Sequence, residues 1–230
     1  MQIKTKVISF ILVIVVIMLT IQVATAEDKI ESFEESDDMV ILSPIGNEPI
    51  RVINDFEMEG LLSLVEEERA TTERELEGYI AELTGLSDEA IGKLIKQSEV
   101  IGIDVFLLLG IIRVESNFDP YVVGALGERG LGQLMANTAR PVANNMGIAY
   151  DPELLFDPEY NILLFTTQLK YLYDFYNGDI HMTLSSYNRG QYGLEKYMAS
   201  RNGYTNPAMS TYSVTILEYA NTYRIEFDNY

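Results

Sequence analysis

The segment from Val105 to Ile112 reads Val-Phe-Leu-Leu-Leu-Gly-Ile-Ile, without one polar side chain. A helix this apolar has no face for solvent, so it belongs in a core. Glu115 stands at its far end. A carboxylate there is half-embedded in apolar surface, and desolvation of its charged form raises its pKa. A carboxyl that keeps its proton near neutral pH is suited to general-acid chemistry. Pro120 is expected to stop the helix. Gly124, Gly127 and Gly130 then allow the backbone to turn tightly and approach a ligand. Asn117 and Gln133 add amide donors and acceptors without charge.

Composition removes several alternatives. The chain has 230 residues, no cysteine and one histidine, His181. Thiol nucleophiles, disulfides, thiolate metal sites and multi-histidine metal centres are thereby excluded. The formal charge is −19, from 16 basic and 35 acidic residues. Phosphate binding needs clustered Lys and Arg, so no nucleic acid is expected as a partner. Fifteen tyrosines and nine phenylalanines offer faces for stacking on sugar rings, although most are expected in the core.

The organisation is read in four parts. Residues 1–26 look like a signal peptide or membrane anchor: Lys4 and Lys6, an apolar stretch from Val7, and Ala24-Thr25-Ala26 as a cleavage site. Export to the cell envelope or the medium follows, with residues 7–26 as the anchor if uncleaved. Residues 27–56 form an acidic linker or irregular segment, with a short strand or hairpin over 39–56 around Pro44 and Gly46-Asn47. Residues 57–86 form an accessory helical segment, its apolar stripe running from Leu61, Leu64 and Val65 to Tyr79, Ile80 and Leu83 across a charged middle. Residues 87–226 form a mainly α domain. Leu86-Ser87-Asp88-Glu89 starts a helix, and Gly102-Ile103-Asp104 breaks it and starts the apolar one. Asn137 is expected to cap a helix over 138–146. Asp157 caps the next, with Pro158 at its first position and a stripe of Ile162, Phe165, Leu169, Leu172 and Tyr176. Asn177-Gly178-Asp179 separates it from the following helix, and Ser210 caps the last, Thr211 to Arg224.

Three blocks then point to a family. Glu115-Ser116-Asn117-Phe118-Asp119-Pro120 leads through the glycines to Gly130-Leu131-Gly132-Gln133-Leu134-Met135 and Thr138-Ala139. Leu155-Phe156-Asp157-Pro158-Glu159-Tyr160-Asn161-Ile162 is the second block, and Leu184-Ser185-Ser186-Tyr187-Asn188-Arg189-Gly190 the third. In this order they resemble the SLT-type lytic transglycosylases, over about residues 90 to 225. The resemblance implies a lysozyme-like helical catalytic domain behind an N-terminal helical and irregular extension. It implies cleavage of the bond between N-acetylmuramic acid and N-acetylglucosamine in peptidoglycan, without water and without a metal or organic cofactor, giving 1,6-anhydromuramyl ends. Glu115 would be the acid and then the base. Gln133 and Met135 would line the cleft; Tyr187 and Asn188 match the third block, whose tyrosine hydroxyl reaches the glutamate or the sugar. Peptidoglycan glycan strands would be the partner, with envelope, secretion or conjugation machinery as a further one.

The sequence departs from the family pattern at several positions. Gly124 stands for a serine, Glu128 for a small residue, Gly132 for a methionine and Arg189 for an alanine; Ala208 lies where many members carry Glu-Thr. Arg189 is expected to add a cation near the cleft, for a lactyl carboxylate or stem peptide. Ordinary glycoside hydrolysis uses two carboxylates. Asp119, Glu128, Asp157 and Glu159 are the candidates for a second one, and none stands out. A hydrolytic muramidase of the goose-lysozyme kind, or a wall-binding or assembly protein with a weakened site, are the alternatives.

Overall fold

The computed structural model describes residues 41–42, 49–50 and 55–230. The expected leader (1–26) and the acidic run over 27–38 lie outside the described residues. The chain divides into two compact units, Met1–Arg74 and Glu75–Tyr230.

In the first unit, β1 (Ile41–Leu42) pairs antiparallel with β2 (Pro49–Ile50), Ile41 opposite Ile50 and Leu42 opposite Pro49. The expected turn residues Pro44, Gly46 and Asn47 are not among those described. Helix α1 (Asp55–Thr84) begins in this unit and ends in the second. Within the apolar stripe expected at its start, Leu64 is 64% exposed and Val65 is half-buried. Its glutamate-rich middle is exposed as well, as charged side chains in water require.

The regular elements of the second unit are helices, with a bridged loop between the third and fourth. The unit begins upstream of residue 87, because Tyr79 and Ile80 at the end of α1 are buried in its core. Helix α2 (Asp88–Ile101) opens with the Ser87 side chain accepting from the Ala90 N–H, and closes on Gly102 at φ 65°. Helix α3 (Val105–Ser116) is capped by Asp104, which accepts from the Phe106 N–H. It is buried on nearly every side, with Leu108, Leu109, Ile111 and Ile112 at 0% exposure. Each such side chain contributes about 1.5–3 kcal/mol through burial. Helix α3 ends at Ser116, ahead of Pro120. The stop is local: Asn117 (φ 54°) and Phe118 (φ 67°) are both left-handed, and the Asn117 N–H closes onto the Arg113 carbonyl.

Helix α4 (Ala136–Asn145) starts two residues before the expected 138. Met135 occupies its N-cap position with no side-chain bond, and Asn137 lies exposed inside the first turn rather than capping it. A 3-10 turn (Glu153–Phe156) precedes α5 (Pro158–Phe175), which has the expected Asp157 cap and Pro158 start. Ile162, Phe165, Leu169 and Leu172 are buried along α5 as their spacing predicts. Helix α6 (Ile180–Ala199) is capped by Asp179 and kinks at Gly190 (φ 71°, ψ 160°). Helix α7 (Thr211–Phe227) begins with Ser210 and Ser213 bonded to each other's backbone N–H groups.

Helices α3 and α7 form the most extensive pair. They run antiparallel, since Asp104 pairs with Arg224 at one end and Glu115 meets Tyr212 at the other. Gly110 permits their close approach: a Cβ there would lie 2.7 Å from the Ile216 carbonyl oxygen. That contact fixes which part of α7 faces Glu115.

Candidate active site

Glu115 lies in the last turn of α3, and its carboxylate accepts a hydrogen bond from the Tyr212 hydroxyl in the first turn of α7. Burial pushes the Glu115 carboxyl up to about 7. The Tyr212 bond opposes that rise by favouring the charged form, and the Glu128 charge adds to it. The Glu115 carboxyl therefore titrates near neutrality. Burial, and then the neighbouring Glu115 charge, raise the Tyr187 and Tyr212 hydroxyls well above the usual tyrosine range. Both remain protonated donors across the range in which Glu115 changes state.

Facing α3 is the loop from Asp119 to Leu134, folded by short antiparallel bridges of Arg129 to Val123 and to Leu134. Gly127 (φ 90°) and Gly130 (φ 75°) use the left-handed freedom expected of them. Gly130 has a second constraint, because a Cβ there would sit 2.0 Å from the Leu155 carbonyl oxygen. Gln133 is itself left-handed (φ 47°), and its side-chain amide donates to the Val122 and Gly130 carbonyls at 3.0 and 2.9 Å. This uses the Gln133 donors within the loop and leaves its oxygen toward Gly124 and Glu128.

Asn161, completely buried in α5, clips the loop down. Its carbonyl oxygen accepts from the Gly132 N–H at 2.8 Å, and its amide donates to the Leu155 and Arg129 carbonyls at 2.8 and 3.0 Å. Tyr187 of α6 adds a further tie, its hydroxyl donating to the Gly132 carbonyl at 2.7 Å. The expected reach of the Tyr187 hydroxyl to the glutamate is thus taken by Tyr212, while Tyr187 holds the loop beside it.

Two of the departures explain each other. A Cβ at residue 124 would lie 2.4 Å from the Glu128 carboxylate and 2.8 Å from the Gln133 side-chain oxygen. The larger Glu128 fills the space that a serine at 124 would occupy, and its carboxylate accepts from the Leu126 N–H at 2.9 Å. Gly132 has its own reason, since a Cβ there would be 2.6 Å from the buried Phe165.

The remaining candidates divide. Met135 is half-buried at the start of α4. Asn188 and Arg189 are exposed on α6. The Arg189 guanidinium stacks 4.3 Å over the Tyr197 ring, which directs it along α6. Asp119 and Asp157 accept from the Tyr121 and Tyr160 N–H groups, which are structural duties. His181 bonds through Nδ1 to the Ser213 hydroxyl at 2.9 Å, a packing role. Tyr212 and Asn161 are the site residues to which the sequence assigned no role, and Glu128 entered there only as a departure from the family pattern and a candidate second carboxylate.

The model of the transglycosylase SLT domain matches residues 93–208, half of the chain. The membrane-bound lytic murein transglycosylase C of Photorhabdus laumondii subsp. laumondii is 37% identical over 108 residues, covering 42% of this chain and 30% of the relative. Its counterpart in Edwardsiella ictaluri is 36% identical over 118 residues, covering 47% and 33%. The chain thus spans about a third of the length of these relatives. Among solved structures, the 70 kDa soluble lytic transglycosylase of Escherichia coli superposes with a TM-score of 0.53 at 24% identity, over 59% of this chain and 24% of that one. Lytic transglycosylase Slt of Pseudomonas aeruginosa gives 0.52 at 22% identity over the same shares. These likenesses show the helical fold, and the matched domain shows the family: the chain belongs to the transglycosylase SLT domain family.

Proposed function

We propose that this protein is a lytic transglycosylase of peptidoglycan, cleaving between N-acetylmuramic acid and N-acetylglucosamine and leaving a 1,6-anhydromuramyl end. The observation that carries the reading is Glu115: one carboxyl with a pKa of about 7, at the buried end of an apolar helix, held by Tyr212.

In the first half-reaction Glu115 gives its proton to the glycosidic oxygen as the bond to the muramyl anomeric carbon breaks. The positive charge growing on that carbon is stabilised by the sugar's own N-acetyl group. Glu115, now a carboxylate, receives the Tyr212 hydrogen bond. It then accepts the proton of the muramyl C6 hydroxyl, whose oxygen closes onto the anomeric carbon. The carboxyl is regenerated, and no water is consumed. A group acting as acid and then base works best with a pKa near ambient pH. The loop held by Asn161 and Tyr187 would keep Gln133 and Met135 at the cleft wall.

Glu128 favours a second reading. It is close enough to Glu115 to raise its pKa, and it could orient a water for hydrolysis. Mass spectrometry of muropeptides released from purified peptidoglycan separates the two. Products one water lighter than reducing muropeptides, absent with Glu115→Gln, support transglycosylation. Reducing ends that vanish with Glu128→Gln support hydrolysis.

The relatives named as membrane-bound, with the apolar stretch of residues 7–26, support a place in the cell envelope. The formal charge of −19 would repel anionic wall polymers, so binding to whole walls is expected to be weak and salt-sensitive. Secretion or conjugation machinery remains the proposed partner, on the family resemblance alone.

A further inference from the structure

We propose that the groove between the end of α5 and the second half of α6 binds sugar residues of the glycan strand remote from the bond being cut; this rests on the glycan-cleaving reading above. The groove is a surface cavity of about 740 Å³, lined by Tyr171, Phe175, Tyr176 and Tyr192 with Gln191 and Glu195 among its polar groups. Tyr171, Phe175 and Tyr192 are 52%, 56% and 69% exposed. Large aromatic side chains left this open on one patch mark a binding surface.

The ring arrangement suits carbohydrate. Tyr171 and Phe175 lie 6.1 Å apart with a 36° tilt, and Tyr176 stands edge-on to Phe175 at 4.9 Å. The C–H bonds of a pyranose present a weakly positive face, which the negative face of an aromatic ring attracts. The Gln191 amide can both donate to and accept from hydroxyl and acetamido groups. Glu195 lines the groove, while the Lys196 ammonium lies 4.3 Å over the Tyr192 ring. The charged side chains there thus include both signs, which fits a neutral sugar better than an anion.

Position specifies the occupant. A smaller cavity of about 160 Å³ is lined by Leu134, Tyr187, Gly190 and Gln191. Gln191 therefore borders both cavities, and Tyr187 lies within electrostatic reach of Glu115. The kink at Gly190 separates the part of α6 that carries Tyr187 from the part that carries Tyr192. The two tyrosines are five positions apart, at most about 18 Å along the chain, so a strand leaving the site toward α6 reaches the aromatic groove within a few sugars.

The test uses the full chain carrying Glu115→Gln and calorimetric titration with β-1,4-linked N-acetylglucosamine dimer and hexamer. Adding Tyr171→Ala with Tyr192→Ala is expected to weaken hexamer binding roughly tenfold, to leave dimer binding unchanged, and to be reversed by Tyr171→Phe with Tyr192→Phe. Equal hexamer affinity with and without the rings would overturn the proposal. So would a loss seen only with peptide-bearing muropeptides, which would give the groove to the stem peptide. A parent chain that releases nothing from peptidoglycan yet discriminates hexamer through these rings would refute the cleavage reading and keep the groove. Product release without that discrimination would do the reverse.

Discussion

Removing the Asn161 amide should loosen the whole active-site loop. The side chain makes three hydrogen bonds and is fully buried. Asn161→Ala leaves the Gly132 N–H and the Leu155 carbonyl without partners in a dry setting, and the Arg129 carbonyl in a partly dry one. Each unsatisfied group costs about 1–3 kcal/mol. One water entering the vacated space would recover part of that. The expected loss is about 2–5 kcal/mol, or roughly 5–15 °C in Tm for a domain of this size. Asn161→Asp keeps the acceptor for Gly132 but turns an oxygen toward two carbonyls. Burial and those oxygens raise its folded pKa above the unfolded value of about 3.9. Its protonated form is the one that fits, so stability is greatest below about pH 4 and is lost as pH rises through the folded pKa. Thermal unfolding followed by circular dichroism, with turnover measured well below each Tm, reads both effects. A Tm for Asn161→Ala within about 2 °C of the parent, with unchanged turnover, would refute the idea that this amide holds the loop.

Three further outcomes follow from the same geometry. Tyr212→Phe removes the hydrogen bond that lowers the Glu115 pKa, so the alkaline limb of the kcat/KM profile should move above pH 7; a limb that stays or falls would contradict the assignment. Because the folded Glu115 carboxyl is raised to about 7, its stabilising contribution is present in full below the unfolded pKa and is lost as pH rises to 7 and beyond. Glu115→Gln should therefore gain stability relative to the parent over that window, and a pH-independent difference in chemical unfolding would count against a raised pKa. Gly124→Ser alone should impair turnover by displacing the Glu128 carboxylate, and Glu128→Ala should restore it; additive losses in the double variant would mean that the two positions are uncoupled.

What could be read from the sequence was mostly local. Ser87, Asp157, Asp179 and Ser210 cap helices because an oxygen one residue ahead of a helix meets free N–H groups whatever the tertiary fold. The α5 stripe was legible from its spacing, and the apolar α3 with its terminal Glu115 from composition alone. The misses have physical causes. Pro120 looked like the helix stop, but Asn117 and Phe118 had already turned the chain left-handed. Asn137 looked like a cap, but Met135, the residue that follows the loop, already holds the N-cap position of α4. Tyr212 faces Glu115 only because Gly110 lets α7 press against α3, a contact between residues about a hundred positions apart. Asn161 lay within a recognised block, yet nothing local separates an amide that clips a loop from one that faces solvent. Glu128 was weighed only as a possible second catalyst, because its contact with Gly124 exists only in the folded loop.

In the proposed reaction Glu115 moves the proton on which cleavage depends. The most direct measurement is the rate of muropeptide release from peptidoglycan by the full chain and by Glu115→Gln, with matched thermal unfolding to show that both are folded. The variant is expected to lose roughly 10²–10⁴-fold or more in rate while remaining at least as stable as the parent at pH 7. A folded Glu115→Gln protein that releases products within tenfold of the parent rate would contradict that role.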